Sequence, residues 1–215
     1  MKKIIKQSEP RSLVEHRIKQ RANENANYDN YPDKDKLRES LLKEQGYLCC
    51  YCMSRITLDL ERMKIEHWKP YTKYESLRLD YQNLLGVCKG NEGARPSKQH
   101  CDTKKGDSEL TINPIEGDKN CENLIRYRPD GKIYSDDVSI NRDLNETLNL
   151  NLDFLKKNRK AALDVVIRKL DEKFPNKTWA KITVQKEIDR LNTKDENGFY
   201  DEYCQFIVSY LKSKL

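Results

Sequence analysis

The sequence predicts an α+β protein: a small metal-stapled core followed by a mainly helical C-terminal region. Three observations carry this. Cys49 and Cys52 before, and Cys88 and Cys101 after, frame the segment Ile65-Glu66-His67-Trp68-Lys69-Pro70, which sets a carboxylate beside a histidine. Short apolar runs in the same region are bounded by proline and glycine, as strands and turns are. From Leu150 onward the apolar spacing becomes helical.

The elements follow in order. Leu13, Val14, Arg17, Ile18 and Arg21 fit a short basic helix, and the Asn-rich stretch Asn23 to Asn30 fits none. Pro32-Asp33 opens a helix through about Gln45 with Leu37, Leu41 and Leu42 on one face, and Gly46 stands at its C-terminal stop. Tyr47 to Arg55 is a knuckle carrying CxxC. Ile56-Thr57-Leu58 and Met63 to Trp68 are strand candidates, the second closed by Pro70. An ideal strand sends Ile65 and His67 to one face and Glu66 and Trp68 to the other. Cys101 to Gly106 opens a helical turn, and Leu124 to Tyr134 is a hairpin around Pro129-Asp130-Gly131. Leu152, Leu155, Leu163, Val166 and Leu170 mark one long helix. Thr178 caps the next, with Trp179, Ile182, Ile188 and Leu191 inward. Phe199, Tyr203, Phe206, Ile207, Tyr210 and Leu211 form a last stripe, open to a partner or to internal packing.

Composition bounds the rest. The 215 residues are 36% hydrophobic and 35% charged, a lean core that metal or a partner would support. No apolar run approaches the ~18 residues of a membrane span. The start Met1-Lys2-Lys3-Ile4-Ile5-Lys6 lacks the apolar stretch of a secretory signal, so a cytoplasmic protein is expected. The net charge of +6 is mild, but residues 61–105 hold ten Lys/Arg against six Asp/Glu. A basic face there suits a phosphate backbone, as it also suits an ordinary solvated surface.

Seven cysteines, an odd number, argue against a disulfide framework. Cys49, Cys52, Cys88 and Cys101 read as a closed structural Zn²⁺ set, with Cys50 competing with Cys49 for the first place and buried free thiols as the other reading. His67 can take a proton from water near neutral pH. Glu66 can hold a hard divalent cation such as Mg²⁺, with Asp102 as second oxygen ligand. Asn83 can brace the His67 loop by hydrogen bonds, and Lys69, Lys104 and Lys105 can meet phosphate.

The order CxxC, Glu66-His67-x-x-Pro70, Asn83-Leu84, Cys88 and Cys101-Asp102-x-x-Lys105 resembles the HNH endonuclease family, a zinc-stapled form of the ββα-metal nuclease fold. The resemblance implies His67 as general base, Glu66 as ligand of a catalytic Mg²⁺ or Mn²⁺, and Asn83 as the loop-bracing position. Glu66 stands where aspartate is commoner. Asp102 stands where the family has a final histidine or asparagine, with His100 the alternative. It divides the chain into an N-terminal extension (1–35), an HNH nuclease domain (36–135) and a helical region (136–215). Leu37 to Gln45, Leu110 to Pro114, Asp130-Gly131 and Leu148 to Asn151 look like the PtuB-type nucleases of Septu and retron-associated anti-phage systems. That narrower likeness implies phage defence, a PtuA-like ATPase partner, and DNA favoured over RNA as substrate. An RNA- or tRNA-cleaving enzyme and a non-catalytic zinc module that grips nucleic acid are the competing expectations.

Overall fold

The computed structural model describes residues 1–22, 26–115, 120–176 and 178–215. Helix α1 (Arg11–Arg21) buries Leu13, and α2 (Lys34–Glu44) buries Leu37, Leu41 and Leu42 on one face. Leu13, Leu37 and Leu41 pack with Tyr31, Leu79, Tyr81 and Leu84 into one core. Residues 26–30 of the Asn-rich stretch are irregular, as expected, while 23–25 lie outside the described residues. Gly46 ends α2 at φ 58, where a side chain would be strained and would also strike the Tyr200 ring.

The chain then reverses into the cysteine knuckle. Cys49 N–H donates to Ser54 O at 2.9 Å, and Ile56 N–H donates to Tyr47 O at 3.0 Å. This corrects the strand expected over Ile56 to Leu58. The Ile56 amide is spent closing the knuckle, and no described residue pairs with Thr57 or Leu58 in a ladder.

Strand β1 (Lys64–His67) pairs antiparallel with β2 (Leu84–Val87), Glu66 opposite Leu85 and His67 opposite Leu84. The sequence reading did not foresee β2. All four of its residues are buried, so it lacks the alternation that marks a half-exposed strand. Buried Gln45 holds it, its amide accepting from Gly86 N–H at 2.6 Å and donating to Gly86 O at 2.8 Å. The helical turn α3 (Cys101–Lys105) follows.

Beyond α4 (Cys121–Leu124), β3 (Arg126–Tyr127) and β4 (Ile133–Tyr134) form the expected hairpin, Tyr127 opposite Ile133. Helix α5 (Val138–Arg142) is capped by the Asp137 carboxylate and runs into a π turn over Asp143–Thr147. Buried Asp143 accepts the amides of Thr111 and Ile112 at 2.6 and 3.2 Å. Long α6 (Asp153–Lys173), α7 (Lys181–Asn192) and α8 (Cys204–Lys212) complete the chain.

Two details of the helical region differ from expectation. Ala180, not Thr178, precedes the first turn of α7, and Ile182 is 65% exposed while Val184 takes the inward position. The aromatic stripe is internal: Tyr203, Phe206, Ile207 and Leu211 are buried against α6 and α7. Packing therefore takes the surface that a partner was expected to share. Among the described residues, no helix is long and apolar enough to cross a membrane.

Candidate active site and metal centre

The knuckle delivers Cys49 and Cys52, the end of β2 delivers Cys88, and the start of α3 delivers Cys101. Their sulfurs all lie within 4.8 Å of one another. Cys49 Sγ is 3.9 Å from Cys101 Sγ, and Cys52 Sγ is 3.8 Å from Cys88 Sγ. A tetrahedral zinc ion with bonds of ~2.3 Å sets its sulfurs ~3.8 Å apart, so the four thiols fit such an ion as they stand. Cys50 stands outside the set: its sulfur is not among the four that lie within 4.8 Å of one another. The thiols share protons unevenly. Hydrogen bonds from Cys101 and Cys88 pull Cys52 down to about 6, and burial pushes Cys101 well above the ordinary thiol value.

Asp102, next to Cys101, is brought by α3 against β1. The carboxyls of Glu66 and Asp102 are hydrogen-bonded to each other. Glu66 is 2% exposed, and its Oε1 also accepts from Tyr51 Oη at 2.6 Å and from the Lys105 ammonium at 2.8 Å. Burial pushes the Glu66 carboxyl well above the usual carboxylate range, and the bond to Asp102 adds to this. Burial opposes ionisation of Asp102 too, but the bond from Glu66 and the Lys64 ammonium at 2.7 Å hold it below that range. The two carboxyls are thus pushed in opposite directions, Glu66 up and Asp102 down, as like charges in contact are. Carboxylate oxygens are of the hard type that a divalent cation takes, so the donor set fits one.

His67 emerges on the other face of β1. Its Nε2 lies 3.0 Å from the carbonyl oxygen of Arg78. A carbonyl only accepts, so Nε2 carries the proton and Nδ1 is left as the basic nitrogen. Burial lowers the pKa of the ring, which keeps it neutral and able to accept. Glu66 and His67 both line one cleft of about 330 Å³ with Asp102 and Lys105. His100 lies elsewhere, its Nδ1 3.1 Å from Cys101 Sγ and its ring against Phe154. Of the two alternatives for the last position, only Asp102 faces the cleft.

Asn83, at the entry to β2, is 4% exposed. Its Oδ1 accepts Lys69 N–H at 2.7 Å, and its Nδ2 donates to the carbonyls of Lys69 and Leu77 at 3.1 and 3.2 Å. The loop after His67 is therefore tied at both ends by one amide. Lys69 lies at the rim, paired with Glu109 at 3.0 Å, and Lys104 is half-buried on α3. Lys105 is placed otherwise than a surface point charge: it is 3% exposed, between Glu66 and the His67 carbonyl at 3.0 Å.

Four neighbours of the site escaped the sequence reading: Tyr51, Lys64, Tyr28 and Tyr71. Lys64 was accessible to it, since it lies two residues from Glu66 on the same face of the strand. The other three have no such signal.

No family model matches the chain. It is 30% identical over 125 residues to an Escherichia coli protein named as the candidate HNH endonuclease of retron Ec83, covering 49% of this chain and 46% of that protein. It is 30% identical over 100 residues to the Septu protein PtuB of Bacillus thuringiensis, covering 46% of this chain and 37% of that one. The matches thus span less than half of either relative. The chain resembles HNH nucleases of the PtuB type.

Proposed function

We propose that this chain is a metal-dependent HNH endonuclease that hydrolyses nucleic-acid phosphodiester bonds, with DNA as favoured substrate. The observation that carries the reading is the convergence of Glu66, Asp102 and the Nδ1-basic His67 on one cleft. His67 Nδ1 takes the proton of the attacking water, and the Arg78 carbonyl holds the ring in the tautomer that allows it. Glu66 and Asp102, once ionised, would hold Mg²⁺ or Mn²⁺, which would supply positive charge for the departing 3′ oxygen. Asn83 keeps the loop that follows His67 in place, and Lys69 and Lys104 at the rim attract the phosphate backbone. Zinc on the four thiols joins the knuckle, β2 and α3, and so fixes Asp102 relative to Glu66. Similarity to the retron and Septu proteins supports a role as the nuclease of an anti-phage system, acting with a PtuA-like ATPase.

The test is plasmid nicking with Mg²⁺ or Mn²⁺, by the chain alone and with that ATPase. Supercoiled DNA is expected to become nicked and linear. His67→Ala is expected to keep its zinc and melting temperature while cleaving about 10²- to 10⁴-fold more slowly. Cleavage by His67→Ala at the wild-type rate would overturn the mechanism.

A further inference from the structure

The N-terminal segment packs a ring against His67, one of the residues that line the cleft. The rings of Tyr28, His67 and Tyr71 form a triangle with centroid separations of 4.6 Å (Tyr28–His67), 5.2 Å (His67–Tyr71) and 5.8 Å (Tyr28–Tyr71). All three contacts are edge-to-face, the arrangement aromatic quadrupoles prefer. The bond from Nε2 to Arg78 O holds the imidazole at one point and leaves the ring free to pivot about it. Two ring edges at nearly right angles remove that freedom.

The segment bearing Tyr28 is itself anchored. Asn27 Oδ1 accepts the amides of Asp29 and Asn30 at 2.9 and 3.1 Å, an Asx turn, and the Asn27 carbonyl meets His16 of α1 at 2.8 Å. Lys34 of α2 lies over the Tyr28 ring at 4.9 Å and donates to Asp29 O at 3.0 Å. Asp29 in turn accepts from Tyr71 Oη at 2.6 Å. The turn thus bolts onto both sides of the triangle, Tyr28 directly and Tyr71 through Asp29.

We propose that Tyr28 is a positioning residue for His67, so that the N-terminal segment is a structural part of the active site. This rests on the nuclease reading above. The ring of Tyr28 acts, not its hydroxyl: it sets the plane in which Nδ1 meets water. Loss of the ring lets Nδ1 drift, and a displacement of about 1 Å costs up to about 10²-fold in rate.

The experiment compares Tyr28→Ala and Tyr28→Phe in steady-state plasmid cleavage, with zinc content and melting temperature measured alongside. Tyr28→Leu, which keeps bulk without a ring, replaces Tyr28→Ala if that variant does not fold. The expected result is a fall in kcat of about 10- to 100-fold at unchanged KM for Tyr28→Ala, with Tyr28→Phe within about twofold of wild type. On a His67→Ala background, Tyr28→Ala is expected to cost nothing further. Long-range ¹⁵N–¹H NMR of the imidazoles supplies a readout that needs no cleavage. His67 should show a single Nε2–H tautomer in wild type and Tyr28→Phe, and a broadened or mixed signal in Tyr28→Ala. If wild type cleaves no substrate yet the NMR difference appears, the nuclease reading fails and the positioning role stands. A loss that falls on KM, a loss that phenylalanine does not restore, or an unchanged His67 signal in Tyr28→Ala would each overturn the proposal.

Discussion

Glu66 is a buried carboxyl held by its neighbours and, in the proposed mechanism, a cation ligand as well. Its Oε1 accepts from Tyr51 and Lys105, and burial together with Asp102 raises its pKa. A glutamine keeps the contacts of a neutral Glu66: its oxygen accepts the same two donors and its amide N–H can donate toward Asp102. Glu66→Gln is therefore expected to leave the melting temperature of the cation-free protein nearly unchanged while removing divalent-cation binding, measured by Mn²⁺ titration. Glu66→Ala differs, because it leaves the buried Tyr51 hydroxyl and Lys105 ammonium without the acceptor they share. It is expected to cost about 2–4 kcal/mol in denaturant unfolding. Equal destabilisation by the two variants would show that the charge of Glu66, and not its role as acceptor, is what the fold needs. The pair Glu66-His67 was visible in the sequence because both residues are adjacent on one strand. Tyr51 and Lys105 were not recognised as Glu66 partners, because only the folded chain brings them to it.

At the scale of elements, the knuckle, β2 and α3 meet through sulfur. Each contributes thiols to a cluster whose spacing suits a tetrahedral ion, and the knuckle is also hydrogen-bonded to β2 through Cys50 N–H. Cys88→Ser is expected to lower bound zinc by at least about tenfold at limiting metal and to lower the melting temperature, because metal binding is folding free energy here. Cys50→Ser is expected to retain one zinc per chain. Elemental analysis of both variants decides the point; full zinc in Cys88→Ser would remove β2 from the centre. The CxxC spacing made Cys49 preferable to Cys50 in the sequence, and the Cys50 sulfur lies outside the four-sulfur cluster. Strand β2 itself was illegible, since a strand buried on both faces carries no alternation to read.

At the scale of the whole molecule, a chain only 36% hydrophobic is held by buried polar side chains that join distant segments. Glu44 on α2 accepts from Lys6 Nζ at 2.5 Å and Tyr81 Oη at 2.8 Å. Arg159 on α6 is fully buried and donates to Gly131 O at 2.9 Å and Leu150 O at 2.7 Å. It ties the hairpin turn and the chain before α6 to the helix. Arg159→Leu is expected to cost about 2–4 kcal/mol in urea unfolding, since two buried carbonyls lose charged donors. No change in the urea midpoint would show that water replaces the guanidinium. The inward helical stripe of α6 was read correctly at Leu155, Leu163, Val166 and Leu170. Arg159 lies on the same face, where a charged residue carries no signal of burial.

The sequence alone determined the thiol frame, the Glu66-His67 strand, the helical turn bearing Asp102, the hairpin and the long helices. These depend on spacing along the chain, which local geometry converts directly into shared faces and turns. The tertiary structure alone decided that Asp102 rather than His100 faces the cleft, that Cys50 stands outside the cluster, that Lys105 is interior, and that Tyr28 lies against His67. The C-terminal aromatic stripe, too, became core only when α7 and α8 packed together. Each of these is a choice between partners far apart in sequence. Hydrogen bonding, burial and charge pairing make that choice, and they exist only once the segments have met.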